Sequence, residues 1–304
     1  MNVRYAYFFT ALLALCASSS ADMQKVSSWS QDPAQALKSA AEQDAPLFVL
    51  IRIEANGEID LAPTLAAQIA DEDFGWQGTE LIYPEESYSN GSVAHRVITW
   101  ANRVGATQLP ALSVVSPEGR PCGIIQGDSL SEPHLLQAEI DRLKQNYETS
   151  QSAFAKAELA KGSERAEQLH IALQAIDAPC RDAYHDVMQQ IVTLDPNNGL
   201  GLQSQYQPVL TEVLIDEVIQ GEVYPLVDAG AYEQAQSILA RVIRDHVLTI
   251  EQHQLLLAFQ AQLLHSQDRT QEAIAMIDEA IAIANNTGPA HEKLVTARLQ
   301  LMAQ

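Results

Sequence analysis

Positive charge is scarce in this sequence, and sulfur is scarcer. Eighteen Lys and Arg stand against 39 Asp and Glu, for a net charge of −21. A chain this acidic repels phosphate backbones and anionic lipid, which argues against nucleic acid and charged membrane surfaces as partners. The acids are dispersed rather than massed in a tail, so they read as a solubilising surface. Cysteine occurs three times, at Cys16, Cys122 and Cys180, and never as a CxxC pair. No GxGxxG, other phosphate-binding glycine loop or Gly-x-Ser-x-Gly elbow is present, and His291-Glu292 is not followed by a second histidine at the zinc-helix spacing. His185-Asp186 and His95-Arg96 are isolated pairs, and Asp71-Glu72-Asp73 lacks calcium-loop spacing. No metal or cofactor is therefore expected, and nothing points to an enzyme. Past the N-terminus, no apolar run approaches the ~20 residues of a membrane-spanning helix.

The N-terminus is what a secretory signal peptide requires. Arg4 gives a positive start, Ala6–Ala17 is apolar, and the small residues Ala17, Ser18, Ser19, Ser20 and Ala21 follow. Cleavage after Ala21 is expected, with export to a periplasmic or extracellular space. A membrane anchor is the alternative, but the run is short for it. Lipidation of Cys16 is the other, but Leu15 stands where a small residue is usual. Removing residues 1–21 takes away one base and no acid, leaving 283 residues at a net charge of −22. That length suits two domains, expected at 22–148 and 149–304, with no integral membrane segment.

Helix and strand alternate over the first of these. Asp32 is placed to cap a helix over Pro33–Glu42, and Pro46–Ile53 reads as a buried central strand. A helix over Leu61–Ala70, a weaker strand over Glu80–Tyr83 and a helix carrying Val93, Val97, Ile98 and Ala101 follow. Strands over Ala111–Val115 and Pro121–Ile125 flank a turn at Pro117-Glu118-Gly119. A last helix, Ser131–Tyr147, is expected to turn Leu135, Leu136, Ile140 and Leu143 inward.

This order resembles the thioredoxin fold, an α/β domain with a central mixed sheet flanked by helices. Trp29 before the first helix, the Leu61-Ala62-Pro63 step and the Gly105–Pro110 loop entering Ala111–Val115 carry the resemblance. It implies a cis-proline at Pro110. It also implies CxxC at the positions where this chain has Ala55-Asn56-Gly57-Glu58. Thiol–disulfide exchange needs an attacking thiolate and a resolving thiol. Ala55 and Glu58 supply neither, so dithiol chemistry is excluded at this loop. Glu58 reads as a solvated acid at a helix start. The resemblance further allows a peptide-binding groove formed by Asn56, Gly57, Leu109 and Pro110; the alternative is that Pro110 only shapes the turn. In an exported chain Cys122 and Cys180 could pair as a disulfide, or stand as two separate buried thiols.

From Ser150 onward the strand signal stops, and an all-α region is expected. Ala166, Leu169, Leu173 and Ile176 recur at helical spacing, as do Tyr184, Val187, Met188, Ile191 and Leu194 up to Pro196-Asn197-Asn198-Gly199. Further helices are expected at Tyr206–Ile219, Tyr232–Arg244, Ile250–His265, Thr270–Ala284 and Pro289–Met302. The segments Gly230–Ala235 and Asp268–Ala273 resemble the turn and second-helix start of a tetratricopeptide repeat. Ala235 and Ala273 are 38 residues apart, against ~34 in that repeat. The large aromatic of its first helix is missing, and an ordinary helical bundle is the alternative. The resemblance implies a helical-repeat surface that binds other proteins. The sequence thus points to an exported, non-catalytic interaction or scaffold protein with a protein partner it does not identify. The alternative is an exported thiol oxidoreductase or chaperone-like protein acting through Cys122 or Cys180.

Overall fold

A computed structural model describes residues 32–54, 77–84, 99–130, 133–283 and 289–302. The signal segment, Trp29, the Ala55–Glu58 loop, the helix expected over 61–70 and most of the one expected around 93–101 lie outside the described residues. The chain divides into two compact units, Met1–Val187 and Met188–Gln304.

Helix α1, Pro33–Gln43, starts where Asp32 accepts the N–H groups of Ala34 and Gln35 at 3.0 and 3.2 Å. Four strands follow: β1 (Leu47–Glu54), β2 (Gln77–Pro84), β3 (Ala111–Val115) and β4 (Pro121–Gln126). They form one mixed sheet in the order β2-β1-β3-β4, with β1 parallel to β2 and antiparallel to β3, and β4 antiparallel to β3. A strand flanked on both sides and covered on both faces needs no polar alternation, and Leu47–Ile51 is buried at every position. Phe48 and Leu50 of β1, Leu112 and Val114 of β3, and Ile125 of β4 join one core with Leu136, Ile140 and Leu143 of the following helix. Each such side chain contributes about 1.5–3 kcal/mol by leaving water. The β3–β4 hairpin turns at Gly119 (φ +82°), whose carbonyl accepts from Arg103 Nη2 at 2.6 Å. The Leu109–Pro110 peptide bond ahead of β3 is cis.

The helix expected over 131–147 is longer. Helix α2 runs from Pro133 to Leu159, and its Leu135 is 42% exposed rather than turned inward. The expected boundary at 148/149 falls inside it. Its buried face continues through the partly buried Tyr147 and through Ser150, Ala153 and Ala157, and helix α3 (Gly162–Ala175) packs back against α2. Ala166, Leu169, Ala172 and Leu173 form the buried side of α3. A 3-10 segment, Ala178–Tyr184, then lies against β4. The first unit thus takes in two elements beyond the expected boundary: α3 packs on α2, and the 3-10 segment lies against the edge strand β4. Helix α4, His185–Leu194, carries the chain across the division between the units.

In the second unit the helices are α5 (Leu202–Val218, continued by a π-helical turn Ile219–Val223), α6 (Tyr224–Asp228), α7 (Tyr232–Asp245), α8 (Ile250–His265), α9 (Thr270–Ile283) and α10 (Pro289–Met302). Asp195 organises the entry to α5. Its carboxylate accepts the N–H groups of Leu200, Leu202 and Gln203 at 3.1, 3.0 and 3.3 Å. Burial opposes its charge, but these backbone donors outweigh that and hold its pKa below the usual carboxylate range. Ala235 of α7 and Ala273 of α9 are fully buried. Three glutamines of α8 reach neighbouring backbones: Gln252 to Pro208 O (2.7 Å), Gln254 to Ala280 O (2.8 Å) and Gln260 to Gln236 O (3.3 Å). Among the described residues no helix is long and apolar enough to cross a membrane.

These boundaries predict how the chain can be cut. A fragment ending after Val187 should unfold in one cooperative urea transition. One ending after Glu148, stripped of α3 and of the 3-10 segment, should unfold at a lower urea concentration, as followed by circular dichroism.

Candidate functional site

A concave surface lies in the second unit. Helices α8 and α10 form the walls of a groove of about 830 Å³, with Ile277 of α9 in its lining. Amphipathic spacing puts Leu255, Ala258 and Ala261 of α8 and Leu294, Ala297 and Leu301 of α10 on this surface. The floor is anchored, because Ala261, Ile277 and Leu294 belong to a buried cluster with Leu257, Leu264, Ala273 and Ala280. Leu255 is 54% exposed, an apolar side chain held in water. Polar side chains share the lining: Glu251, Gln254, Gln262, His265, Lys293 and Gln300. The Nδ1 atom of His265 is buried with no hydrogen-bond partner among the described residues. A surface of apolar side chains interleaved with polar ones suits the side chains of another polypeptide.

The two thiols belong to the first unit, and both are free and buried. Cys122 Sγ lies 3.5 Å from the Tyr184 hydroxyl, and Cys180 Sγ lies 3.5 Å from the Val104 carbonyl. Burial pushes the Cys122 thiol up to about 11, with the bond from Tyr184 opposing it only in part. Burial also raises the Cys180 thiol and the Tyr184 phenol. A thiol that keeps its proton and is closed off from water neither attacks a disulfide nor receives one. This counts against the alternative reading through Cys122 or Cys180.

Of the expected peptide groove, Asn56 and Gly57 lie outside the described residues, as do Ala55 and Glu58. Leu109 and Pro110 are half-buried at the entry to β3. The nearby loop is held by Gln126, whose Oε1 accepts the N–H groups of Thr107 and Gln108 at 2.9 and 3.2 Å. Among the described residues no three His, Cys, Asp or Glu side chains converge as a metal site. The α8–α10 groove was not anticipated from sequence, although Leu255 and Leu301 carry the helical spacing that makes it. No protein-family model matches this chain, and no curated protein matches its sequence.

The thiols give a direct test. In signal-free folded protein, Cys122 and Cys180 should resist an aromatic disulfide reagent that titrates both after unfolding. Cys122 also sets a pH dependence. Its folded pKa exceeds the reference value of 9.0, so the folded state holds the extra proton between the two values. Its contribution to stability is therefore complete below pH 9.0 and lost as pH rises towards 11. Urea midpoints across that range should fall for the native chain and fall less for Cys122→Ala.

Proposed function

We propose that this chain is an exported, non-catalytic interaction protein: a thioredoxin-like domain without redox cysteines, followed by a tetratricopeptide-like helical domain that docks a protein partner. The sheet order, the cis peptide bond at Pro110 and the helices on the sheet support the first part. The paired helices α7 to α10, with Ala235 and Ala273 buried 38 residues apart, support the second. The observation that carries the functional reading is the apolar α8–α10 groove with Leu255 exposed in it. Such a surface is worth its cost in solubility only if something covers it. Export rests on the N-terminal pattern of Arg4, the apolar run and Ala17–Ala21.

The test is capture of partners from the exported fraction by the signal-free protein, followed by affinity measurement with the captured protein. Leu255→Asp, at an exposed position, should leave the helical content unchanged and weaken binding at least about tenfold. A wild-type protein that retains nothing contradicts the interaction role. A variant that binds as wild type moves the interaction away from this groove.

A further inference from the structure

Among the described residues strand β4 is an outer strand of the sheet, and one side of its backbone has no strand partner there. Proteins commonly guard such edges with charges, proline or covering segments. The interior of β4, Cys122–Ile125, contains neither charge nor proline. Its cover is the chain from Asp177 to Asp186. The Asp177 N–H donates to Cys122 O at 3.1 Å, and the Asp177 carboxylate accepts the Ile124 N–H at 2.9 Å. Arg142 of α2 closes the arrangement. It donates to both carboxylate oxygens of Asp177 at 2.6 and 3.2 Å, and to Ile124 O at 3.4 Å. Three successive outward-facing groups of the edge are thus satisfied by one Asp–Arg pair.

The rest of the segment is fastened as well. Arg120 makes a two-pronged pair with Asp186 at 2.8 and 2.9 Å and lies 5.3 Å over the Tyr184 ring. Tyr184 in turn stacks on Phe154 at 6.1 Å. Two glycines make the fit. A Cβ at Gly123 would stand 2.4 Å from Leu143 Cδ2 and 3.1 Å from the Asp177 carboxylate, and one at Gly105 would stand 2.2 Å from Pro179 O. Asp177 and Arg142 keep 17% and 37% of their side-chain surface in contact with water. Water therefore competes for the pair that holds the edge.

We propose that residues 177–186 are an intramolecular strap occupying a strand-docking edge, and that β4 of a second copy is the partner this edge takes once the strap is off. The uncharged Cys122–Ile125 run can pair antiparallel with itself about a two-fold axis without setting like charges opposite each other. Opening the strap leaves β1 and β3 paired, so it is a local event distinct from unfolding.

Hydrogen exchange on the full chain tests this. The Ile124, Asp177 and Cys180 amides should exchange together, at least about tenfold faster than the β1 amides. Asp177→Ala should raise Ile124 exchange a further ~100-fold, leave the β1 amides unchanged and produce a concentration-dependent dimer in sedimentation. Arg142→Met, which keeps the Asp177 N–H bond to Cys122, should give the same pattern more weakly and serves if Asp177→Ala does not fold. The proposal is overturned if wild-type Ile124 exchanges only with β1, or if the folded variants remain monomeric.

Discussion

One carboxylate holds the first unit closed. Asp177 takes the place of a fifth strand, accepting the amide of Ile124 while its own amide serves the carbonyl of Cys122. A buried backbone donor left without an acceptor costs about 1–3 kcal/mol, so an edge without this partner would be a standing weakness. Arg142 matters for the same reason. It neutralises the carboxylate at the point where the chain has turned back from α3, and it ties α2 to the sheet edge.

The local parts of this arrangement could be read from residues near one another in sequence. The cap at Asp32, the unbroken apolar run of β1, the Gly119 turn and the apolar faces of α3, α8 and α9 all follow from short-range rules. The domain boundary did not, because the spacing that ends one expected helix near Tyr147 continues unbroken to Ala157. Leu135 was misjudged for a related reason: it adjoins the buried stripe of α2 but sits one position off it. Asp177 gave no local signal. Its partners are 35 and 53 residues away, and in sequence it is an acid ahead of Ala-Pro. The α8–α10 groove is a gap between elements, which periodicity does not describe.

Each unit holds buried polar groups inside its own packing. In the first unit Cys122 and Cys180 are buried beside Tyr184, Val104 and the sheet, with burial favouring their protonated form. In the second, buried glutamines tie α8 to α9 and to α7 by their side-chain amides, beside the apolar lining of the α8–α10 groove. The dispersed negative charge keeps such a surface soluble.

The most direct measurement of the central interaction is the scalar coupling across the hydrogen bond from the Ile124 amide nitrogen to the Asp177 carboxylate carbon, in isotope-labelled full-length protein. A resolved coupling, with an Ile124 amide proton shifted downfield and shielded from water, is the predicted result. An absent coupling together with rapid magnetisation transfer from bulk water to Ile124 would contradict the account.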